Sequence, residues 1–447
     1  MQVSAAAKQS AQALLDFIDA SPSPWHAVAT AKAQLLANGF TELHEQDAWQ
    51  LSANNAYFVT RGDASIIAFK IGSAPLAETG FAMVGAHTDS PGLRIKPRPT
   101  TSADGLVSLG VEVYGGPILA TFTDRDLSLA GRVQVRNTSN PEKSAYENRL
   151  SLFTESIVRL PNLAIHMNRE VNDKGLKLNK QTELPLIFGA ASDGIASHDQ
   201  FLNAIADNIK VNPSDILGWE LNVYDTQKGT FWGADQAFIA NSQLDNLASC
   251  HAGLTALINT QNPTKTIVCA LFDHEEVGSE SATGASGSFL KDVTSRLMQN
   301  SFNANENKPL DAEIQCRILA KSFFISADMA HAYHPNHASA YEPCHHVQVN
   351  KGPVIKSNVN QRYATNGDSA ATFMLLCEQA NVPYQQYAHR TDLGCGSTIG
   401  PMIASGLGIA TVDVGNPMWA MHSLRESAGV LDHTYMIQVL NTFFSSH

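Results

Sequence analysis

His87, Asp245, Glu275, Glu276, Asp328 and His422 are the side chains of this chain whose types suit a pair of divalent metal ions, and four of the six follow an apolar run that reads as a β-strand. The runs are Phe81-Ala-Met-Val-Gly-Ala-His87-Thr-Asp89, Ile267-Val-Cys-Ala-Leu-Phe-Asp273-His-Glu275-Glu276 and Phe323-Phe-Ile-Ser-Ala-Asp328. In open α/β sheets, ligands gather in the crevice beyond the carboxyl ends of the strands, so residues far apart in sequence converge there. Imidazole and carboxylate suit zinc, and two such ions roughly 3.5–4 Å apart can clamp the attacking and leaving oxygens of a hydrolysis.

The roles divide by chemistry. His87 and Asp328 could hold one ion, Glu276 and His422 the other, with Asp245 shared between them. Adjacent residues leaving a strand point in different directions, so Glu275 stays available as general base beside its ligand neighbour Glu276. Asp89, two residues beyond His87, is placed to fix the imidazole tautomer, which makes it a catalytic residue with Glu275. Each piece alone reads blandly: an Asp-His-Glu-Glu turn, a histidine closing a strand, Asp245 as a helix N-cap. The joint pattern carries the reading.

Other motifs carry less. His331, His334 and His337 form an H-x-x-H-x-x-H run, but Pro335 breaks the helix that would stack them. Gly394-Cys-Gly-Ser-Thr-Ile-Gly400 lacks the spacing of a nucleotide loop and reads as a turn before a helix. Asp392 and Ser397 come with no nucleophile elbow, which argues against a serine hydrolase.

The positioning elements follow from periodicity. Ala5–Asp19 carries apolar residues at helical spacing, and Trp25–Gly39 reads as a second helix after Ser21-Pro-Ser-Pro24. Strands are expected at 57–60, 65–71 and 81–86, then at 267–272, 323–327 and 409–414, alternating with helices at 241–258, 369–381 and 398–405. That is the pattern of an α/β sheet. From about Lys96 the texture changes to alternating antiparallel strands, including Leu127-Ser-Leu-Ala-Gly-Arg-Val-Gln-Val-Arg136, with one helix near 199–209. The expected organisation is a discontinuous catalytic domain, residues 1–95 plus 233–447, interrupted by a β-rich domain of residues 96–232. The polar stretch Gln299–Glu313 reads as a surface loop.

Composition bounds the rest. A net charge of −12 opposes nucleic-acid binding. No stretch approaches the ~20 apolar residues of a membrane span. Six scattered cysteines without a C-x-x-C pair fit reduced thiols and a cytoplasmic setting.

The blocks SPSPWHAV, GAHTDSPGLRIKP, DRDLSLAGRV, SQLDNLASC, DHEEVGS, SADMAHAYHPN, GPVIKSNVNQRYAT, GSTIGP and AMHS resemble the aspartyl aminopeptidase family in the family's order, over nearly the whole chain. The resemblance implies an α/β zinc-peptidase sandwich of the phosphorylase/hydrolase-like type with an inserted β-rich oligomerisation domain. It implies cleavage of N-terminal Asp or Glu from peptides, and two zinc ions per subunit on His87, Asp245, Glu276, Asp328 and His422, with Glu275 as base. It further implies substrate contacts from Glu275, Asp328, His331, Lys356 and Tyr363, and from His166, which relatives reach across a subunit boundary. A Lys356 ammonium in the first side-chain pocket would pair with a substrate carboxylate. Relatives form a twelve-subunit shell. The pattern departs at Tyr114–Asp126 (YGGPILATFTDRD), where a third glycine near Pro117 and a tryptophan near Phe122 are expected. Two rival readings are a two-zinc N-acyl amino acid deacylase on the same scaffold and a non-catalytic shell with structural metals.

Overall fold

The structure is a computed structural model that describes residues 3–138, 144–306 and 311–446. Two units emerge: Met1–Asp89 with Gly229–Met421 and Glu426–His447, and Ser90–Lys228 with His422–Arg425.

The first unit is built on a nine-stranded sheet. Its strands, in spatial order, are Thr41–Leu43, Ala56–Arg61, Ser65–Lys70, Thr266–Phe272, Phe81–His87, Phe323–Ala327, Ala410–Gly415, Val354–Ser357 and Gln385–Ala388. The four central strands, from Thr266–Phe272 to Ala410–Gly415, run parallel. They read as continuous apolar runs because both faces are covered. The period of two decides which residue goes where. Ala82, Val84 and Ala86 enter one apolar cluster with Ile267, Cys269 and Leu271. Phe81 and Met83 enter the opposite cluster with Val268, Ala270 and Phe272.

Helices supply both layers. Ala5–Asp19, Pro24–Ala37, Leu244–Asn259 and Val430–Ser445 contribute to the first cluster. Phe289–Glu306 and Ile399–Leu407 contribute to the second. This is the α/β sandwich expected from the alternation of elements. A smaller five-stranded sheet joins Thr230–Trp232, Phe238–Asn241, Glu426–Gly429, Pro417–Trp419 and Ala330–His331.

The second unit carries a six-stranded antiparallel sheet in the order Tyr146–Leu152, Leu127–Arg136, Ile216–Asp225, Gly92–Ala103, Leu106–Tyr114 and Leu186–Ala190. Helix Ser197–Ile209 lays Phe201 and Ile205 into its core beside Leu129, Val133 and Leu221.

Gln299–Glu313 is not the loop its polarity suggests. Residues 299–306 continue helix Phe289–Glu306, and Ala312–Ala320 forms another helix; residues 307–310 lie outside the described residues. The reason is cooperativity: Phe289, Leu290, Val293, Leu297 and Met298 anchor the first turns in the core, and each further residue extends an existing ladder. Among the described residues, no helix is long and apolar enough to cross a membrane.

Candidate metal centre

Parallel pairing sets the chemistry in one plane. Phe272 is level with His87, and Ser326 is level with Gly85, so the chain segments after Phe272 and Ala327 emerge on the same edge as the His87 imidazole. The Asp328 N–H still bonds the Val414 carbonyl at 2.8 Å, which carries the sheet one residue further. Gly415 permits this closeness, since a Cβ there would sit 1.7 Å from the Asp328 carbonyl oxygen.

His87 Nε2 stands 3.4 Å from Asp245 Oδ1, 3.6 Å from Asp328 Oδ1 and 3.9 Å from Glu275 Oε2. Two sets each bring their ligand atoms within 4.8 Å of one another: His87 with Asp245 and Asp328, and His87 with Glu275 and Glu276. Asp245 comes from the start of helix Leu244–Asn259, where its N–H is held by Glu426 Oε2 at 3.0 Å and the next side chain, Asn246, donates to the Ala327 carbonyl at 2.8 Å. Glu275 and Glu276 lie in a short 3-10 turn after the Thr266–Phe272 strand, entered through His274 at φ +64°.

Asp89 organises both strand ends. Its main-chain carbonyl lies 3.0 Å from His87 Nδ1, while its carboxylate is 3.5 Å away. A carbonyl can only accept, so Nδ1 carries a proton and Nε2 is the nitrogen whose lone pair a metal ion would take. The Asp89 carboxylate instead receives the N–H of Glu275 on one oxygen and that of Glu276 on the other, each at 3.1 Å. The tautomer function expected of the Asp89 side chain thus falls mainly to its backbone.

The electrostatics call for cations. His87 is 1% exposed. Burial works against its charge, yet the carboxylates of Asp245, Asp328, Asp89 and Glu275, 3.4, 3.6, 3.5 and 3.9 Å away, hold its pKa well above the ordinary histidine range. Burial pushes the Glu275 carboxyl up to about 9; His87 pulls it down, and Asp328, Glu276 and Asp89 push it up again. A carboxyl protonated at neutral pH cannot act as a base, and divalent ions at this edge would restore the carboxylate. The imidazole and carboxylate donor set fits zinc.

Lys356 is buried under Asp328, and its ammonium donates to the carbonyls of Asp328 at 2.8 Å and Met329 at 3.2 Å. It also lies 3.6 Å from Asp328 Oδ2 and 5.1 Å from the Tyr363 ring centroid. Burial, together with Cys395, holds the Tyr363 hydroxyl above its ordinary range, so it stays protonated. His331 is pressed down to about 4 by burial, with Lys356 adding to the effect, and is neutral at physiological pH. His334 and His337 sit in the short turn region around Pro335–Ala340, and among the described residues they join no metal-sized cluster.

His422 and His166 belong to the second unit. His422 Nδ1 lies 3.1 Å from the Gly116 carbonyl, which can only accept, so Nε2 is the lone-pair nitrogen. His166 is on an exposed turn among Leu163, Ile165 and Met167, which are 62%, 47% and 73% exposed.

Sequence reasoning passed over Cys250, Asn246 and Glu426, which have no metal-ligand signature. Cys250 donates its thiol to the His87 carbonyl at 2.9 Å, and burial pushes that thiol up to about 12, which keeps it neutral. Only its position five residues beyond Asp245 points to a place near the site.

The family model of aminopeptidase I zinc metalloproteases (M18) matches residues 17–444. The chain is 46% identical over 437 residues to the probable M18 family aminopeptidase 2 of Ectopseudomonas mendocina (strain ymp), covering 97% of this chain and 98% of that one. Among solved structures, a chain of the Ape4 and Nbr1 complex superposes with a TM-score of 0.93 at 37% identity, covering 100% of this chain and 88% of that one. The S. cerevisiae mApe1 dodecamer gives 0.83 at 27% identity, covering 97% and 96%. With the family's match over nearly the entire chain and a donor set at the sheet edge that suits its metal, the chain belongs to the aminopeptidase I zinc metalloprotease (M18) family, a family of metalloaminopeptidases.

Proposed function

We propose that this aminopeptidase removes N-terminal Asp or Glu from peptides, with two zinc ions per subunit. His87 and Asp328 would hold one ion, Glu276 and His422 the other, with Asp245 shared. When bound, the ions lower the pKa of a water and polarise the first peptide carbonyl. Glu275 takes the proton of the attacking water and hands it to the departing amine. Asp89 keeps Glu275 and Glu276 in register through their amides, and Asp328, His331 and Tyr363 border the substrate amine and carbonyl.

The observation that carries the acidic preference is the Lys356 ammonium, buried beside Asp328 with two of its three donors spent on main-chain carbonyls. Its remaining charge favours a carboxylate and gains nothing from an apolar side chain. The exposed apolar residues flanking His166, and the relative solved as a dodecamer, support a homo-oligomer in which His166 serves a neighbouring subunit. Reduced thiols fit a cytoplasmic setting.

The test is hydrolysis of Asp-, Glu-, Ala- and Leu-anilides, with N-acetyl-Asp anilide as control, before and after chelation and zinc restoration. Chelator-sensitive cleavage confined to free Asp and Glu substrates is the expected result. Cleavage of the acetylated control would identify a deacylase, and equal rates on Leu would remove the acidic preference.

A further inference from the structure

Beyond Lys356 the first unit opens into a cavity of about 520 Å³ whose walls include Ser357, Asn360, Arg362, His389, Arg390 and Cys395. Its walls are next-door neighbours of the residues around Asp328. Ser357 follows Lys356 on the same strand, and Arg362 precedes Tyr363. The His389 ring lies 6.3 Å from that of His331. Adjacent strands Val354–Ser357 and Gln385–Ala388 pair Lys356 with Tyr387, and the Tyr387 and His389 rings, 6.0 Å apart, lead from the lysine's neighbour to the cavity wall.

Two groups in this wall lack counterparts. Arg390 is committed, with Nε 2.6 Å from Asp392 Oδ1, Nη2 3.0 Å from Oδ2, and a further bond to the Ser339 carbonyl. Arg362 is exposed, and among the described residues its guanidinium makes no hydrogen bond or ion pair. His389 shares Nδ1 with the Tyr387 hydroxyl at 2.5 Å, while its Nε2 is buried without a hydrogen-bond partner. With the Tyr387 hydroxyl as donor, Nε2 carries the hydrogen and has nothing to give it to. An uncommitted guanidinium and an orphaned N–H on one cavity wall form a receptor for a planar anion.

We propose that this cavity is a carboxylate-binding subsite for the peptide downstream of the scissile bond, with Arg362 as its charged contact and His389 Nε2 as its second donor. An aminopeptidase places a single residue on the upstream side, so the rest of the chain leaves on the other. At about 3.5 Å per extended residue, the first or second downstream residue reaches a wall whose His389 ring lies 6.3 Å from that of His331. The inference rests on the aminopeptidase reading; it is separate from the preference for an acidic first residue.

Paired peptides test it. Asp-Ala-Ala is compared with its C-terminal amide, and Asp-Glu-Ala amide with Asp-Gln-Ala amide, in the native protein, Arg362→Ala and Arg362→Lys. The native enzyme should favour the carboxylate member of at least one pair about tenfold in kcat/KM, mainly through KM, with the ratio shrinking at high salt. Arg362→Ala should bring the ratio toward one, and Arg362→Lys should restore part of it. A response in the first pair assigns the subsite to the chain terminus, and one in the second assigns it to an acidic side chain. Ratios near one in the native enzyme, which need no variant, overturn the proposal, as does a ratio unchanged in Arg362→Ala. The same pairs with Ala at the first position separate the two readings: equal cleavage of Asp and Ala termini defeats the acidic first-residue preference and leaves the cavity ratios decisive.

Discussion

The Lys356 ammonium donates to the main-chain carbonyl of Asp328 at 2.8 Å while standing 3.6 Å from the carboxylate of the same residue. One cation thus braces the backbone that presents a proposed metal ligand and sets the potential at the site floor. Lys356→Met should lower kcat/KM for Asp and Glu substrates roughly 10- to 100-fold, as expected for a charge-assisted contact, and for Ala substrates much less. Rates with all four substrates in the variant decide; a uniform loss would show that the lysine only supports the backbone.

Glu275 is the only carboxylate of the cluster assigned to carrying protons rather than metal. Glu275→Gln keeps the shape and removes the base, so kcat should fall about 10³-fold while bound zinc, counted by atomic absorption, stays at the native ratio. Near-native turnover in this variant would falsify the proposed mechanism.

Asp89 acts through other residues. Asp89→Asn leaves one oxygen for two amides, so the Glu275–Glu276 turn loses one of its two tethers. Zinc affinity and kcat should both drop about 10- to 100-fold, with little change in KM. Competition against a fluorescent chelator reports the first and steady-state kinetics the second; unaltered affinity would remove Asp89 from the support of Glu276.

Acid should unfold the protein early. His251 Nδ1 and His433 Nε2 are 2.8 Å apart in the core, where burial takes His251 down to about 4 and His433 well below its usual range, with His251 adding to the latter. Both are neutral when folded and take up protons near pH 6.5 when unfolded. Their contribution is therefore complete above about pH 6.5 and is lost as pH falls toward about 4. For His251 alone the shift corresponds to about 3 kcal/mol. Melting temperature against pH should slope less steeply in His433→Asn than in the native protein, and parallel curves would show that the acid lability lies elsewhere.

Much of the candidate site was legible because several of its proposed ligands follow apolar runs. His87 closes one buried strand and Asp328 directly follows another, and the period-two division of Phe81–Ala86 follows directly from the sequence. Strands Val354–Ser357 and Gln385–Ala388 were not legible. Each has four residues, and Lys356 and Gln385 place polar side chains where periodicity looks for apolar ones. From sequence the Asp89 carboxylate reads as a partner for His87, whereas it binds the amides of Glu275 and Glu276, a contact between strands that only their parallel register brings about. Arg362 and His389 carried no signal, since an unpaired guanidinium and an orphaned ring nitrogen are defined by what surrounds them.

His87 and Asp328 meet because the Phe323–Ala327 strand docks beside Phe81–His87 after most of the chain between them has been made. On the ribosome, the early histidine must wait through the synthesis of the entire second sheet before its partner exists. A chain that ends before Asp328 therefore lacks part of the proposed ion-binding edge. Under the proposed reading, peptide cleavage has to await the Phe323–Ala327 strand, so the order of synthesis keeps unfinished chains from acting as peptidases.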